Sequence, residues 1–543
     1  MLLYKNLIDI HNREMYPARI EIRQGRISGI SPAHQPVKGY ILPGFIDAHV
    51  HIESTMVAPV AFSREAARHG TTGIVSDPHE IANVLGAEGV EFMVNNAKNT
   101  PLKIVFGVPS CVPATPFESS GASIDAEAVK KLLQMPEIGY LSEMMNYPGV
   151  VYQDEQVMQK IEAAHQQGVP VDGHAPGVMG EELVKYAGAG ITTDHECFTY
   201  EEAVEKIGQG MHILIREGSG AKNFNALIPL LRNYPDKVMF CTDDLHPDDM
   251  VHGHINLLVK KAISAGYDLF DTLRAASLNA IRHYSMDVGT LRVGDPADFI
   301  LVDSPEHFQV EATYINGEPV YLDGKVTIPE IVPSAVNKFL IGEIRATSIR
   351  VQQEGDLLRV IQAIDGELIT REKVVAPRIE NEFVVSDTTN DILKIVVVNR
   401  YTTAPPAVGF IHGFGLTKGA LVSSIAHDSH NIICVGTDDA SITETINWVI
   451  RNKGGIALYD GEKVRGLPLE IAGIMSSGSV AYAAGKYKDL SEAASALGTR
   501  LKAPFMTLAF MALLVIPDLK MSDKGLFDGR TFSFTPLFVT ENE

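Results

Sequence analysis

The stretch "ILPGFIDAHVHIEST", residues 41–55, places Asp47, His49, His51 and Glu53 two residues apart at the end of an apolar run. Alternate residues of a strand share a face, so regular alternation predicts that all four side chains point the same way. A lone histidine at a strand end is ordinarily a satisfied polar group. Two neutral imidazoles one strand repeat apart can meet a single ion, so His-x-His reads as a ligand pair.

Seven further apolar runs end in comparable chemistry. "TTGIVSDPHE" supplies Asp77, His79 and Glu80, "LKIVFGVPS" supplies Ser110, and "GYLSEMMN" carries Glu143. "VPVDGHAP" ends in His174, "GITTDHE" in His195 and Glu196, "MHILIREGS" in Glu217, and "KVMFCTDDLH" in Asp243 and Asp244. Four histidines and two carboxylates suffice for two divalent ions. His49, His51 and Asp243 would hold one, His174 and His195 the other, and Glu143 would bridge them. The absence of thiolates from this set suits borderline or hard ions, Zn2+, Mn2+ or Fe2+, with Mn2+ taken as the first expectation. Such ions lower the pKa of bound water to about 7 for a single zinc, so hydrolysis at an electron-poor carbon is expected.

These residues need a scaffold that gathers strand ends. Helix-like stretches such as "SREAARHG", "DEQVMQKIEAAHQQG" and "GEELVKYAGAG" separate several of the runs. The α/β alternation predicts a (β/α)8 barrel over 41–285, with catalytic groups at the C-terminal strand ends. An open doubly wound sheet is the alternative. Short alternating segments, "ARIEIRQGRISGISP" before the barrel and "GTLRVGDPADFILVDS" and "ATYINGEPVYLDGKV" after it, predict one small β-domain built from both flanks, 1–40 plus 286–335. Residues 336–543 mix strand and helix patterns and predict a C-terminal α+β domain.

The bulk properties narrow the class. A chain of 543 residues is too long for one ordinary core. A formal net charge of -21 argues against nucleic-acid or anionic-membrane partners. The four cysteines are scattered, with no C-x-x-C pair, which suits a reducing cytoplasm. "MLLYKNLIDIHNREMY" has no apolar core of signal-peptide length. The longest apolar run, "FMTLAFMALLVI" at 505–516, is too short to span a bilayer and predicts a buried helix. A homo-oligomer is expected.

Larger motifs carry a family resemblance. "GFIDAHVH", "GHAP", "TDHE", "CTDD" and "GTLRVGDPADFILVD" resemble the amidohydrolase superfamily over the N-terminal 330 residues. Within it, "HVHIEST", "SDPHEIANV", "LSEMMNYPGV", "DGHAPG" and "CTDDLHPDD" resemble the adenine deaminases, and "FGLTKGALVSSIAHDSHNIICVGTDD" resembles their extra domain. The resemblance implies hydrolytic deamination of adenine to hypoxanthine and ammonia at a binuclear metal centre. Many barrel hydrolases of the superfamily bridge their metals with a carboxylated Lys on the fourth strand. Here "IGYLSEMMNY" has no Lys, and Glu143 stands where a bridge is needed. The Cys-based deaminase pattern fails, because no P-C-x-x-C follows His51-Ile52-Glu53. On this reading Asp243 accepts and returns the proton, and Glu217 or Glu53 serves the ring nitrogen beside the reacting carbon.

Other polar residues receive plainer expectations. His79 and Glu80 would sit behind the ligands, and Asp77 would cap a helix. Asp244 would point away from Asp243. His246, His252 and His254 read as a solvated loop, His165 as a surface residue, and His427 and His430 as satisfied polar groups.

Overall fold

The computed structural model describes residues 1–539. It divides into two compact units that do not follow chain order. The first comprises Met1–His79, Val90–Cys111 and Ile124–Val332. The second comprises Glu80–Gly89, Val112–Ser123 and Pro333–Glu543.

In the first unit, eight strands alternate with helices: β1 (Phe45–Val50), β2 (Thr71–Ser76), β3 (Lys103–Val108), β4 (Ile138–Met144), β5 (Val171–Gly173), β6 (Thr193–Asp194), β7 (His212–Arg216) and β8 (Val238–Cys241). β1 to β5 form one parallel sheet and β6 to β8 another. Single parallel bridges join the sheets at both seams, Val171 with Ile191 and Val50 with Asp243. One strand face carries Ile46, Ala48, Val75, Tyr140, Leu214, Met239 and Cys241 into a common apolar cluster. The other face, with Phe45, Ile213, Ile215, Val238 and Phe240, packs against the helices.

A separate eight-stranded sheet of this unit joins the two flanks of the chain. Phe299–Val302 pairs antiparallel with Tyr40–Pro43, which pairs parallel with Leu2–Asp9. Both ends of the segment thus contribute to one β-structure, with Leu7, Ile20, Ile41, Phe299 and Leu301 in its core.

The second unit is α+β. Its eight-stranded sheet places Leu393–Val398, Ile432–Gly436 and Ala420–Ser423 side by side. Helix Asp439–Asn452 buries Ile442, Ile446 and Val449 against Val396, Val422, Cys434 and Ala457 of that sheet. The apolar run 505–516 is not one helix: Pro504–Phe510 is helical and buried, and turns follow it. Among the described residues, no helix is long and apolar enough to cross a membrane.

Candidate metal centre

The strand alternation expected across residues 47–53 does not hold. Ala48 shares the common apolar cluster with Ile46, yet His49 also reaches the centre. The register of β1 on β2 slips between Asp47 and Val50, and this irregularity turns His49 and His51 inward together. Asp47 goes elsewhere. Its carboxylate accepts from Thr242 N at 3.0 Å and lies 2.9 Å from His254 Nε2. His254 is therefore buried, with Nδ1 2.6 Å from Thr71 Oγ1, and is no part of a solvated loop.

His49 Nε2 and His51 Nε2 face each other at 3.2 Å, and Asp243 Oδ1 lies 3.5 Å from the first and 3.1 Å from the second. Across the group, Glu143 divides its two oxygens. Oε1 is 3.5 Å from His51 Nε2 and 3.2 Å from His79 Nδ1. Oε2 is 2.8 Å from His174 Nδ1 and 3.1 Å from His195 Nε2. All six expected ligands, His49, His51, Glu143, His174, His195 and Asp243, thus converge. Two imidazole nitrogens aimed at one another need a shared proton or a cation between them. The buried nitrogen and carboxylate donors, free of thiolate, fit divalent ions of the Mn, Fe(II) or Zn kind.

The electrostatics favour ionised carboxylates here. Burial opposes the charge on Glu143, but His174, with hydrogen bonds from His174, His195 and His79, holds its carboxyl well below the usual range. Burial likewise opposes charge on Asp243, and Arg216 outweighs it, aided by His49 and His51. Such a charge would cost several kcal/mol if it were buried alone.

Several contributors were not assigned from the sequence. Arg216 Nη1 donates to Asp243 Oδ2, and its guanidinium grips both oxygens of Glu196, at 2.5 and 3.1 Å. Arg216 therefore holds the Asp243 oxygen that is turned away from His49 and His51. Strand alternation contained this signal, because Arg216 shares a face with Leu214 of the common cluster. Glu217, one residue on, shares the face of Ile213 and Ile215 and pairs with Lys261 at 3.0 Å. It lines a separate cavity of about 140 Å³ with His252, His254 and Asp249, and is not among the converging groups. Glu53 is buried on the short turn Ile52–Thr55 that follows His51.

His79 is closer to the centre than expected, since its Nδ1 lies 3.2 Å from both Asp77 Oδ2 and Glu143 Oε1. Asp77 also accepts from His79 N at 3.1 Å, the capping role expected of it. Asp244 does not turn away cleanly. Asp243 has a φ of 58°, which breaks the alternation, and Asp244 joins His51 and Asp243 in one group of possible ligands. His165 is exposed, as expected. In the second unit, His427 Nδ1 is 2.8 Å from Glu80 Oε1, and His430 Nε2 contacts Glu80 Oε2.

A ring of imidazoles and carboxylates at the ends of parallel strands defines a metal-dependent hydrolase of the amidohydrolase kind, and residues 40–320 match the Amidohydrolase family. That family implies a divalent metal. Residues 367–533 match the adenine deaminase C-terminal domain. The chain is 52% identical to an adenine deaminase of Methanosarcina mazei, over 98% of this chain and 99% of that protein. It is 51% identical to adenine deaminases of Salinibacter ruber, over 98% of each chain, and of Parabacteroides distasonis, over 99% of each. The chain belongs to the adenine deaminase family.

Proposed function

We propose that this chain hydrolyses adenine to hypoxanthine and ammonia, a step of purine salvage in the cytoplasm. The eight strands are read as a closed (β/α)8 barrel whose C-terminal mouth holds two divalent ions, Mn2+ in the first instance. The observation that carries the reading is the Glu143 carboxylate, with one oxygen toward His51 and the other toward His174 and His195. His49, His51 and Asp243 would hold one ion, and His174 and His195 would hold the other. Bound there, the ions make water a nucleophile at neutral pH.

The remaining chemistry falls to the chain. Water oxygen bonds to C6 of adenine, the C6–amino bond breaks, and the amino group leaves as ammonia. Asp243 Oδ1 accepts the attacking proton and returns it to the departing nitrogen. Arg216 holds Oδ2, so the carboxylate keeps one orientation through the cycle. Glu53 gives a proton to the ring nitrogen beside C6 and is restored by the second proton of the attacking water as the C6 carbonyl forms; it is buried on the turn after His51, while Glu217 is engaged with Lys261.

The test is ammonia release from a panel of purines and cyclic amides with Mn2+, Fe2+ or Zn2+ added. Adenine should exceed adenosine in kcat/KM by at least about 10²-fold, because a pocket shaped to a base rejects a ribose. Comparable values for the two would refute a free-base deaminase. Prolonged chelation should abolish turnover, and added metal should restore it.

A further inference from the structure

We propose that Lys206 is a positioning residue that fixes the spacing of His174 and His195, and with it the affinity for the ion they hold. The proposal rests on the two-ion reading above. Lys206 lies on helix Tyr200–Gly208, which follows β6, and is fully buried. Its ammonium spends three hydrogen bonds: on Ala175 O at 2.6 Å, Asp194 Oδ2 at 2.5 Å and Glu202 Oε1 at 2.7 Å. Ala175 follows His174, and Asp194 precedes His195. One cation therefore ties the residue after one ligand to the residue before the other.

The acceptors close the circuit. Asp194 Oδ1 accepts from Ala175 N at 3.0 Å. Glu202 Oε1 accepts from Gly177 N at 2.8 Å, and its Oε2 from Phe198 N at 3.1 Å. Both ligand loops are thus sewn to one helix. The need is local. β5 has 3 residues and β6 has 2, so the ladder gives these two ends little support. An ammonium suits the place because its tetrahedral donors reach acceptors on separate chain segments, whereas a guanidinium offers a planar fork. Without it, Asp194 and Glu202 become buried anions with no shared cation and Ala175 O loses its donor, so the helix no longer ties the residue after His174 to the residue before His195. Partners that orient ligands in this way typically govern metal affinity by about 10- to 100-fold.

The experiment is Mn2+ titration of the apoprotein, read by stoichiometry and by the EPR signature of an exchange-coupled ion pair. Wild type should take up two ions. A wild type that binds one ion or none overturns the two-ion reading and this proposal with it. Lys206→Met should retain one ion near wild-type affinity and bind the second about 10- to 100-fold more weakly, so that a single-ion EPR signal replaces the coupled one. Glu202→Gln, which removes one charge and little volume, should weaken the second ion several-fold. It decides the matter if Lys206→Met does not fold. Lys103→Met removes another lysine–aspartate pair of the same unit, to Asp298 at 2.7 Å, and should keep both ions. The proposal is overturned if folded Lys206→Met, or Glu202→Gln in its place, binds both ions like wild type. It is equally overturned if Lys103→Met shows the same selective loss.

Discussion

At the scale of the residue, Asp243 is where ligand and proton carrier must be told apart. One oxygen faces His49 and His51, and Arg216 takes the other. Asp243→Asn preserves the shape and one oxygen but cannot accept a proton at neutral pH. It should keep much of its metal, lose at least about 10²-fold in kcat, and change KM less. Asp244→Asn should do less harm, because Asp244 is only partly buried and accepts from Ser54 Oγ at 2.5 Å. The check is kcat for both variants alongside their metal content. A metal-loaded Asp243→Asn within a fewfold of wild type would move the proton to another group. Arg216 carries a different risk. Its removal leaves Glu196 and Asp243 as buried anions without their cation, so Arg216→Met should destabilise the fold by about 3–5 kcal/mol. Chemical denaturation of the apoprotein measures this, and a loss below about 1 kcal/mol would mean that the pair relaxes into water.

At the scale of the element, the ligands were legible because apolar runs stop abruptly in histidine or carboxylate. β5 and β6 read as strands from "VPVDGHAP" and "GITTDHE", although only 3 and 2 residues of them are extended. What escaped was orientation. Strand-end reasoning alone could not separate Arg216 from Glu217, although the face of Leu214 would have done so. The slip between Asp47 and Val50 and the left-handed Asp243 were not readable at all, since backbone irregularities of this kind leave no periodic trace. The far end of β7 offers a test of its own. Burial, followed by Lys237, pushes His212 down to about 4, and burial, followed by His212, pushes His283 down to about 3. In the unfolded chain both histidines take up protons near 6.5, and in the folded chain they stay neutral well below that. The unfolded state then binds more protons, so this pair's contribution to stability is complete above pH 6.5 and is lost as pH falls toward 3. His283→Gln should flatten the fall of Tm between pH 7 and about 4.5 relative to wild type. Parallel curves for the two proteins would show that the ring does not report its burial.

At the scale of the whole molecule, the chain leaves the first unit immediately after His79 and again after Cys111. Glu80–Gly89 and Val112–Ser123 cluster with Pro333–Glu543, although both lie within the stretch that reads as barrel. Their partners inside that unit are specific. Glu80 meets His427 at 2.8 Å, and Ser119 O accepts from Asn431 Nδ2 at 2.8 Å. Ser119 N donates to Asp523 Oδ1 at 2.9 Å, and Pro116 O accepts from Lys524 Nζ at 3.1 Å. These segments follow β2 and β3, so two connections of the β1–β5 sheet belong to the second unit. Sequence pattern could not reveal this, because a barrel loop and an inserted segment look alike until their partners are known. A protein ending at residue 335 would lose the His427 and His430 partners of the buried Glu80, along with the partners of Ser119 and Pro116, and a group stranded away from water costs about 1–3 kcal/mol. For the buried Glu80 that cost weighs against the roughly 5–15 kcal/mol typical of a domain's total stability. Residues 1–335 alone should therefore be insoluble or turn over far more slowly than the full chain, and co-expression with residues 336–543 should recover part of the loss. Solubility, metal content and kcat of the truncated protein are the measurements. A soluble, monodisperse 1–335 with full turnover would mean that the two segments do not need Pro333–Glu543 for their structure and that the rest of the second unit serves some other end.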